Sequence, residues 1–373
     1  MRPSSSRSSL RVGIPRVLNF FASAPFFTAY LQGIGIDKEQ IVISPPTTAA
    51  LVKEALGLAA IDPCFPSKIC VGHVYRLLEE SAVGEKLDCI FFPMIDTVDP
   101  GLDGCAACNA CPAGSATPEA VKAAFSGARD WFTTAGIQYL NPVVNLDNHA
   151  LLRLQLFECW RDLLGLSWEE NARAVEQALR IQAEFDEKMQ QLSLQVLQRL
   201  EAENSVGLVL LGRPYHHDPG INQGILEAFQ KLGYPVLSQS YLPKDSGTLD
   251  KLFAADIRAG HINSPLEISD VWKNSISANT NQKVWAAKFT ARHPNLIPIE
   301  LSSFKCGHDA FVSNVIELIS HCAGKPHFCF RDLDENKPQA SFRIRIETMH
   351  HFLGQYRRKI SPSRDLKESS GVA

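Results

Sequence analysis

The stretch that decides the fold reads Leu87-Asp88-Cys89-Ile90-Phe91-Phe92-Pro93. Apart from Asp88 it is an unbroken apolar run, which is typical of a strand buried on both faces of a parallel sheet. A similar run occupies residues 206–211, and in both halves of the chain such runs alternate with helix-length amphipathic segments. This alternation predicts an α/β fold, built from open, mostly parallel sheets that helices cover.

Residues 168–204 interrupt the alternation. They contain no Gly or Pro, and their apolar residues recur mostly three and four positions apart. This spacing predicts one or two long helices that bridge two lobes. The predicted organisation is an N-terminal α/β lobe with the cysteine loops at residues 10–150, a helical connector at 151–204, a C-terminal α/β lobe at 205–360 and a loose tail at 361–373.

Composition narrows the class of protein. Hydrophobic residues make up 45% of the chain and charged residues 21%, which predicts a globular protein with a large core. The net charge of −3 gives no basic excess that would favour a nucleic-acid partner. The longest apolar runs have the length of strands, and no apolar secretory segment is present, so we expect a cytoplasmic protein without a membrane span. The oligomeric state stays open, a dimer included.

Ten cysteines without a secretory signal indicate a reducing compartment, where thiols serve as metal ligands, nucleophiles or buried apolar groups. Cys159 and Cys322 are predicted to be core residues, since they lie in apolar, helix-like segments. Cys105, Cys108 and Cys111 lie in a Gly-, Ala- and Asn-rich stretch that offers nothing to pack against. These three are therefore candidates for chemistry.

The loop that holds them reads Gly104-Cys105-Ala106-Ala107-Cys108-Asn109-Ala110-Cys111-Pro112. Its CxxCxxC-Pro spacing resembles the runs that ligate iron–sulfur clusters. Two residues between cysteines let a loop turn both thiolates toward one metal group, and small neighbours leave the backbone free to bend. Zinc would accept the same ligands, so the spacing predicts a metal site and leaves both metals open.

Two further cysteines lie in loops at the ends of predicted elements. Cys64 stands between prolines in Asp62-Pro63-Cys64-Phe65-Pro66, and Cys306 follows a strand predicted at residues 295–301. Open α/β sheets place their sites at the carboxyl ends of strands. Taken alone, each residue reads as an ordinary loop cysteine. Taken with the CxxCxxC loop, they predict that three cysteine loops converge on a site between the lobes.

A fourth loop reads Gly212-Arg213-Pro214-Tyr215-His216-His217-Asp218-Pro219-Gly220 and lies between a buried strand and a helix. Its Arg, His and Asp side chains could bind an anion, supply protons or donate hydrogen bonds to a cluster. His217 and Asp218 are the candidate catalytic residues. The alternative is a packed, capped turn with Asp218 as the N-cap. The sequence has no P-loop, so nothing in it indicates that this chain hydrolyses ATP.

Several of these motifs, together with others, resemble one family. The motifs in question are Gly13-Ile14-Pro15-Arg16-Val17-Leu18-Asn19, Cys64-Phe65-Pro66-Ser67-Lys68 with Gly72-His73, Cys111-Pro112, Asn141-Pro142 with Asn145-Leu146-Asp147, the loop from Gly212 to Pro219 with Ile221-Asn222 and Gly224, Phe304-Lys305-Cys306-Gly307-His308-Asp309-Ala310-Phe311, and Arg345-Ile346-Glu347. The chain resembles the activase-associated domain of unknown function, which belongs with the 2-hydroxyglutaryl-CoA dehydratase and benzoyl-CoA reductase subunits. The motifs span nearly the whole chain in the expected order.

The resemblance implies two Rossmann-like lobes with a cubane cluster between them. Cys64, Cys111 and Cys306 match the family's cysteine positions, and in related dehydratase subunits three cysteines hold a [4Fe–4S] cluster with one open iron. The resemblance also implies an ATP-hydrolysing activase as the electron-donating partner. Cys105 and Cys108 depart from the pattern and leave the ligand set open, and Lys305 and His308 replace a small residue and a proline.

Three functions fit these expectations. The first is a low-potential electron-transfer or reductase component that serves a partner or a small substrate. The second is a complete dehydratase that acts on a 2-hydroxyacyl-CoA thioester. The third is a non-catalytic zinc- or cluster-binding scaffold subunit.

Overall fold

The structure is a computed structural model that describes residues 7–58, 64–127, 130–303, 305–333 and 339–360. The predicted loose tail at residues 361–373 lies outside the described residues. Side chains are described throughout these ranges except at Gln339 and Ala340.

The first lobe is a parallel α/β sheet. Its elements are β1 (Val12–Ile14), α1 (Phe20–Gly33), β2 (Ile41–Ile43), α2 (Ala49–Leu58), α3 (Phe65–Val83), β3 (Cys89–Phe91), β4 (Met94–Thr97), α4 (Pro112–Phe125), α5 (Trp131–Ala135), β5 (Gln138–Leu140) and β6 (Val143–Asn145). The sheet has the order β2-β1-β3-β5, and all its pairs are parallel. The ladder is interrupted at Pro93 and Pro142, because a proline has no N–H to donate to it. The strands that follow these prolines, β4 and β6, form a separate parallel pair.

The connector consists of α6 (His149–Leu164) and α7 (Trp168–Ala202). Ser167 and Glu170 form a capping box at the start of α7, which runs as a single helix of 35 residues. Early in α7, Ala174 and Val175 are buried in the core of the first lobe, whereas Leu197, near its end, is buried in the core of the second. The helix therefore ties the lobes together. In the ranges described, no helix combines the length and the apolar character that a membrane span requires.

The second lobe repeats the design. Its elements are β7 (Gly207–Leu211), α8 (Pro219–Asn222), α9 (Ile225–Lys231), β8 (Val236–Ser238), α10 (Ser246–Arg258), α11 (Ala278–Arg292), β9 (Leu296–Leu301), α12 (Gly307–Cys322), β10 (Phe328–Phe330) and α13 (Gln339–Ile360). The sheet has the order β10-β9-β7-β8 and is parallel throughout. The α/β fold with parallel sheets is confirmed, and in each lobe the first strand lies second from one edge.

The apolar runs are buried on both faces, as their composition predicts. Val209 and Leu211 on β7 belong to one hydrophobic cluster, and Leu208 and Leu210 belong to another. Helices cover both clusters, and no face of β7 is left for polar residues. In β3, Cys89 is fully buried in the same way.

The loops that carry the candidate functional residues lie at equivalent points of the two sheets, next to the reversal of strand order. In each lobe the strand order reverses next to the first strand, between β1 and β3 and between β7 and β9. In open α/β sheets a crevice forms at the carboxyl ends of strands at such a reversal, and ligands bind there. Arg213 follows β7 and Cys306 follows β9, so both belong to the crevice of the second lobe.

Candidate functional site

The three cysteines predicted to hold a cluster occupy the same kind of position. Cys64, Cys111 and Cys306 are the N-cap residues of α3, α4 and α12, and each is half-buried. None of the three side chains caps its helix through a hydrogen bond. The first turn of a helix carries N–H groups without helical partners, and the helix dipole is positive there. All three cysteines therefore stand at helix ends whose dipole favours negative charge.

The turn after β7 lies within electrostatic reach of all three. Burial alone would lower the pKa of Arg213, but Asp309, Tyr215, Cys306 and Cys111 raise it. Burial raises the pKa of Tyr215, which Arg213 lowers and both Cys306 and Cys64 raise further. Arg213 and Tyr215, in the second lobe, thus lie within electrostatic range of cysteines from both lobes.

A hydrogen-bonded contact holds the first two helix ends side by side. Thr117 Oγ1 in α4 lies 2.8 Å from Ser67 Oγ in α3. The Cys64 thiol in turn donates to Ser67 Oγ over 3.4 Å. The N-termini of α3 and α4, and with them Cys64 and Cys111, are held on one side of the first lobe.

Arg213 is the buried cation of the site. Its side chain is 3% exposed, and its Nη2 lies 3.2 Å from Asp309 Oδ1 and 3.4 Å from Thr280 Oγ1. Its Nε and Nη1 are buried and have no hydrogen-bond partner among the described residues. Buried donors are almost always paired, so these two indicate room for an acceptor that the chain itself does not supply.

A network of buried charges holds Arg213 in place. Lys283 Nζ lies 3.0 Å from Asp309 Oδ2 and 3.4 Å from Glu300 Oε1, and all three side chains are at most 3% exposed. Burial would raise the pKa of Glu300, but Lys283, the nearby His327 ring and a hydrogen bond from Ser313 lower it to about 2. The cations Arg213 and Lys283 are thus balanced by the carboxylates of Asp309 and Glu300. Buried charges are tolerated when they are paired in this way.

Sequence reasoning missed Lys283 and Glu300. Glu300 occupies a strand that is otherwise apolar, Leu296–Leu301, and every residue of that strand is buried. A charged residue inside a run predicted to be buried on both faces requires a partner. The sequence therefore did contain a sign that Glu300 has a buried cationic partner.

Cys105 and Cys108 lie in a loop that docks on the second lobe. The Ala107 amide donates to Ser275 O over 3.1 Å, the Asn109 amide donates to Ile276 O over 3.1 Å, and the Ala278 amide donates back to Asn109 O over 3.0 Å. The backbone of the CxxCxxC loop is thus hydrogen-bonded across the lobes. This docking fixes the segment that leads into Cys111.

The two thiols in this loop sit among acidic groups. Burial raises the pKa of Cys108 to about 11, and Asp147, Cys105 and Asp99 add to the rise. Burial also raises the pKa of Cys105, with Asp103 and Asp99 as further causes. Burial raises the pKa of the Cys306 thiol too, but there Arg213 opposes the rise, whereas the charged neighbours of Cys105 and Cys108 are acidic.

Asp218 is an N-cap, as one interpretation of its loop predicted. Its Oδ1 accepts a hydrogen bond from the Gly220 amide over 2.8 Å at the start of α8. It does not orient its neighbour: His217 is exposed, and its Nε2 lies 3.1 Å from Ser238 Oγ. Asp218 Oδ2 instead faces Thr47 in the first lobe.

Of the two cysteines predicted to be core residues, Cys159 packs against the core and Cys322 does not. Cys70 is fully buried and donates to Pro66 O, and Cys159 is partly buried against the core of the first lobe. Cys322 was predicted to be a core residue, and this is wrong: it is exposed at the end of α12. The apolar spacing places Val312 and Ile316 on the inner face of α12, and Cys322 falls outside that face.

In the part of the chain that the structure describes, no three Cys, His, Asp or Glu side chains lie close enough to hold one metal ion. A cubane cluster sets a different requirement, because each cysteine binds its own iron and the sulfurs stand further apart. The described residues have the chemistry that such a cluster needs. They provide three half-buried thiols at helix N-termini and a buried cation, Arg213, of which Nε and Nη1 have no partner.

A small cleft lies at the strand reversal of the first lobe. It is lined mostly by apolar side chains of β1, α1 and the end of β3, and by Gly114 in the first turn of α4. Leu18, also in the lining, has a φ of 51°, which is uncommon for a residue other than glycine. The cleft thus adjoins the helix that begins after Cys111.

The family follows from a comparison with protein-family models. Residues 11–242 match the CoA enzyme activase uncharacterised domain (DUF2229). The chain belongs to this family. The matched residues of this CoA enzyme activase domain include Cys64, Cys111 and Arg213, whereas Cys306 and Asp309 lie beyond them. A search of the curated proteins gave no match.

Proposed function

We propose that this CoA enzyme activase domain protein is an iron–sulfur protein, in which Cys64, Cys111 and Cys306 hold a [4Fe–4S] cluster between the lobes. The observation that carries the proposal is the common position of the three cysteines, each at a helix N-terminus and each acting electrostatically on the turn of Arg213 and Tyr215. A cluster with three thiolates is anionic, and helix N-termini stabilise anions.

The free donors of Arg213 support the same proposal. Nε and Nη1 are buried near Cys111 and Cys306, and a sulfide or thiolate sulfur would satisfy them. Asp309 and Thr280 hold the guanidinium through Nη2, so it cannot turn away to solvent. Arg213 therefore offers a fixed positive charge next to a group whose negative charge grows on reduction.

When bound, the cluster would supply one-electron chemistry at low potential. The chain's own part is to bind the cluster through the three thiolates and to set the charge around it. Lys283, Asp309 and Glu300 together carry one negative charge, which Arg213 balances. Within this network Arg213 is the group with unpaired donors, so its guanidinium and the helix N-termini are the parts of the chain that would contact the cluster.

The partner we propose is an ATP-hydrolysing activase of the CoA-dehydratase type. The name of the family points to a CoA enzyme activase, and the sequence lacks a P-loop of its own. The chain would accept electrons from that activase and act as an electron-transfer or reductase/dehydratase component. A CoA thioester or another small substrate could bind at the crevice, where the cleft beside α4 offers apolar surface.

Spectroscopy of anaerobically purified protein tests the proposal. We expect a brown protein whose visible absorption bleaches with dithionite and whose reduced form gives an electron paramagnetic resonance signal. Adding an activase that has been reduced beforehand and freed of dithionite should produce the same bleaching when ATP is present, with the activase giving up one electron for each electron that the cluster takes up. Protein that contains stoichiometric zinc, no iron and no redox-active absorption would contradict the proposal and favour a non-catalytic scaffold.

A further inference from the structure

A chain of buried hydrogen bonds crosses from the second lobe to the first beside the candidate site. Asp218 is fully buried, and its Oδ2 lies 3.0 Å from Thr47 Oγ1 and 3.2 Å from the Thr47 amide. Thr47 Oγ1 lies 3.0 Å from His73 Nε2, and His73 Nδ1 lies 2.7 Å from Ser44 Oγ. Ser44 Oγ accepts from the Arg16 amide over 2.8 Å. Every side chain in the chain of contacts is buried.

The direction of each hydrogen bond follows from the number of protons available. The Thr47 hydroxyl has one proton, and the Asp218 carboxylate can only accept it. Thr47 Oγ1 must then accept from His73 Nε2–H. His73 Nδ1 is left as an acceptor for the Ser44 hydroxyl, and burial lowers the pKa of His73 to about 4, so the ring is neutral at pH 7. One arrangement of protons satisfies all the donors and acceptors.

Close backbone contact accompanies these bonds. A Cβ atom on Gly220 would stand 2.4 Å from Thr47 O and 2.6 Å from Thr47 Cβ. Only glycine can occupy position 220 while the lobes lie this close, since real Cβ atoms do not approach backbone oxygen to that distance. The hydrogen bonds and the glycine contact thus independently mark Thr47 as the point where α8 meets the first lobe.

The position of these contacts links them to the site. His73 lies on α3, the helix that begins after Cys64, and Asp218 ends the turn that carries Arg213 and Tyr215. We propose that Thr47 and His73 are positioning residues: with Asp218 they form an interlobe latch that sets the place of Cys64 relative to Arg213 and Tyr215. The latch rests on the proposed function for its purpose, but its structure can be tested without a cluster.

The tautomer of His73 tests the latch in the unaltered protein. Nitrogen-15 NMR of histidine-labelled protein should show His73 as the Nε2–H tautomer at pH 7. An Nδ1–H tautomer would overturn the proposal, because the ring could then not donate to Thr47.

Substitutions at Thr47 test it by hydrogen exchange. Thr47→Val keeps the shape and the amide but removes the hydroxyl, so Asp218 loses a donor and His73 loses its acceptor. The amides of Gly220, Ile221 and Asn222 should then exchange about tenfold faster or more, while Thr47→Ser stays within about twofold of the unaltered protein. Tyr30→Phe is the matched control, since it removes another buried hydrogen bond of the first lobe, that of Tyr30 to Asn171 at 2.8 Å.

The outcomes separate the latch from general destabilisation. The proposal would be overturned if Thr47→Val left the exchange rates of these three amides unchanged. It would also be overturned if Tyr30→Phe raised those rates as much as Thr47→Val does. In protein that holds the cluster, Thr47→Val should also shift the reduction potential at unchanged iron content, and Thr47→Ser should restore it. Rapid exchange with an unshifted potential would leave Thr47 without a positioning role and so overturn the proposal. If the protein carries no iron, the proposed function fails, and the exchange measurement still decides the latch.

Discussion

Arg213 Nη2 lies 3.2 Å from Asp309 Oδ1, and the two side chains, separated by more than ninety residues of sequence, are each 3% exposed. The pair joins the turn after β7 to the first turn of α12, which begins after Cys306. Asp309 also accepts from Ser302 over 2.7 Å and lies 3.0 Å from Lys283. Arg213 is therefore held through Nη2, while its Nε and Nη1 stay without a partner among the described residues.

Arg213→Met should change the potential of the site more than its metal content. Removing a positive charge disfavours the more negative, reduced state, so the reduction potential should fall by about 60 mV or more, a factor of ten for a one-electron couple. Breaking a buried pair should also lower the free energy of unfolding by about 3 kcal/mol. A potentiometric titration and urea denaturation give the two values.

Arg292→Met is the control for this change. Arg292 pairs with Asp256 where both side chains are about a quarter exposed, and such pairs contribute about 1 kcal/mol or less. The potential of this variant should match that of the unaltered protein. An Arg213→Met protein with an unshifted potential would show that the guanidinium serves the fold alone.

Asp218→Ala should destabilise the protein more than loss of a helix cap does. A cap alone contributes about 1 kcal/mol. Asp218 also accepts two hydrogen bonds from Thr47, so the loss should reach about 2–4 kcal/mol. Asp245→Ala is the comparison, because Asp245 caps α10 at an exposed site through the Thr248 amide. If the free energy of unfolding falls equally in the two variants, Asp218 acts only as a helix cap.

His217→Ala should leave both stability and iron content near normal, since His217 is exposed and contacts only Ser238 Oγ in the hydrogen bonds described for it. Its place on the turn of Arg213 leads us to expect a shifted potential or slower electron transfer from the activase. Potentiometry and stopped-flow kinetics measure these. If the reduction potential and the rate of electron transfer are both unchanged, His217 is an ordinary surface residue without a role at the site.

Much of this arrangement could be predicted from local sequence. The runs at β3 and β7 gave the parallel sheets, and the Gly, Pro and Asn content of the loops gave the element ends where Cys64, Cys111 and Cys306 lie. Helix starts were harder: α4 begins at Pro112, directly after Cys111, because proline fits the first turn, although a proline usually reads as a break.

Contacts between distant segments could not be predicted. Lys283 pairs with Asp309 and Glu300 only because α11 packs against β9 and α12, and nothing at residue 283 indicates that geometry. The same holds for Thr47 and Asp218, which the lobe interface brings together. α10 was missed, although Asp245 marks its start as an N-cap.

Acidification should destabilise the protein from near pH 6.5 downward. Burial lowers the pKa of His216 from 6.5 to about 3, so the folded state resists the proton that the unfolded state takes up. Stability that this histidine contributes is complete above pH 6.5 and is lost as the pH falls toward 3. The free energy of unfolding should drop by about 1–2 kcal/mol per such histidine between pH 7 and 5.

Urea denaturation at several pH values measures this loss. His216→Asn should reduce it, since an amide oxygen can still accept from the Arg213 amide, which lies 2.9 Å from His216 Nδ1. His321→Asn, at an exposed position, should not. A pH dependence that is the same in His216→Asn as in the unaltered protein would contradict the assignment.

Iron and acid-labile sulfide per chain in anaerobically purified cysteine variants test the interlobe cluster most directly. Unaltered protein should hold about four of each. Cys64→Ala, Cys111→Ala and Cys306→Ala should each lose most of both, while Cys159→Ala and Cys322→Ala keep them. Loss of all iron in Cys105→Ala and Cys108→Ala, with full iron in Cys64→Ala and Cys306→Ala, would place the metal in the CxxCxxC loop and contradict a cluster held between the lobes.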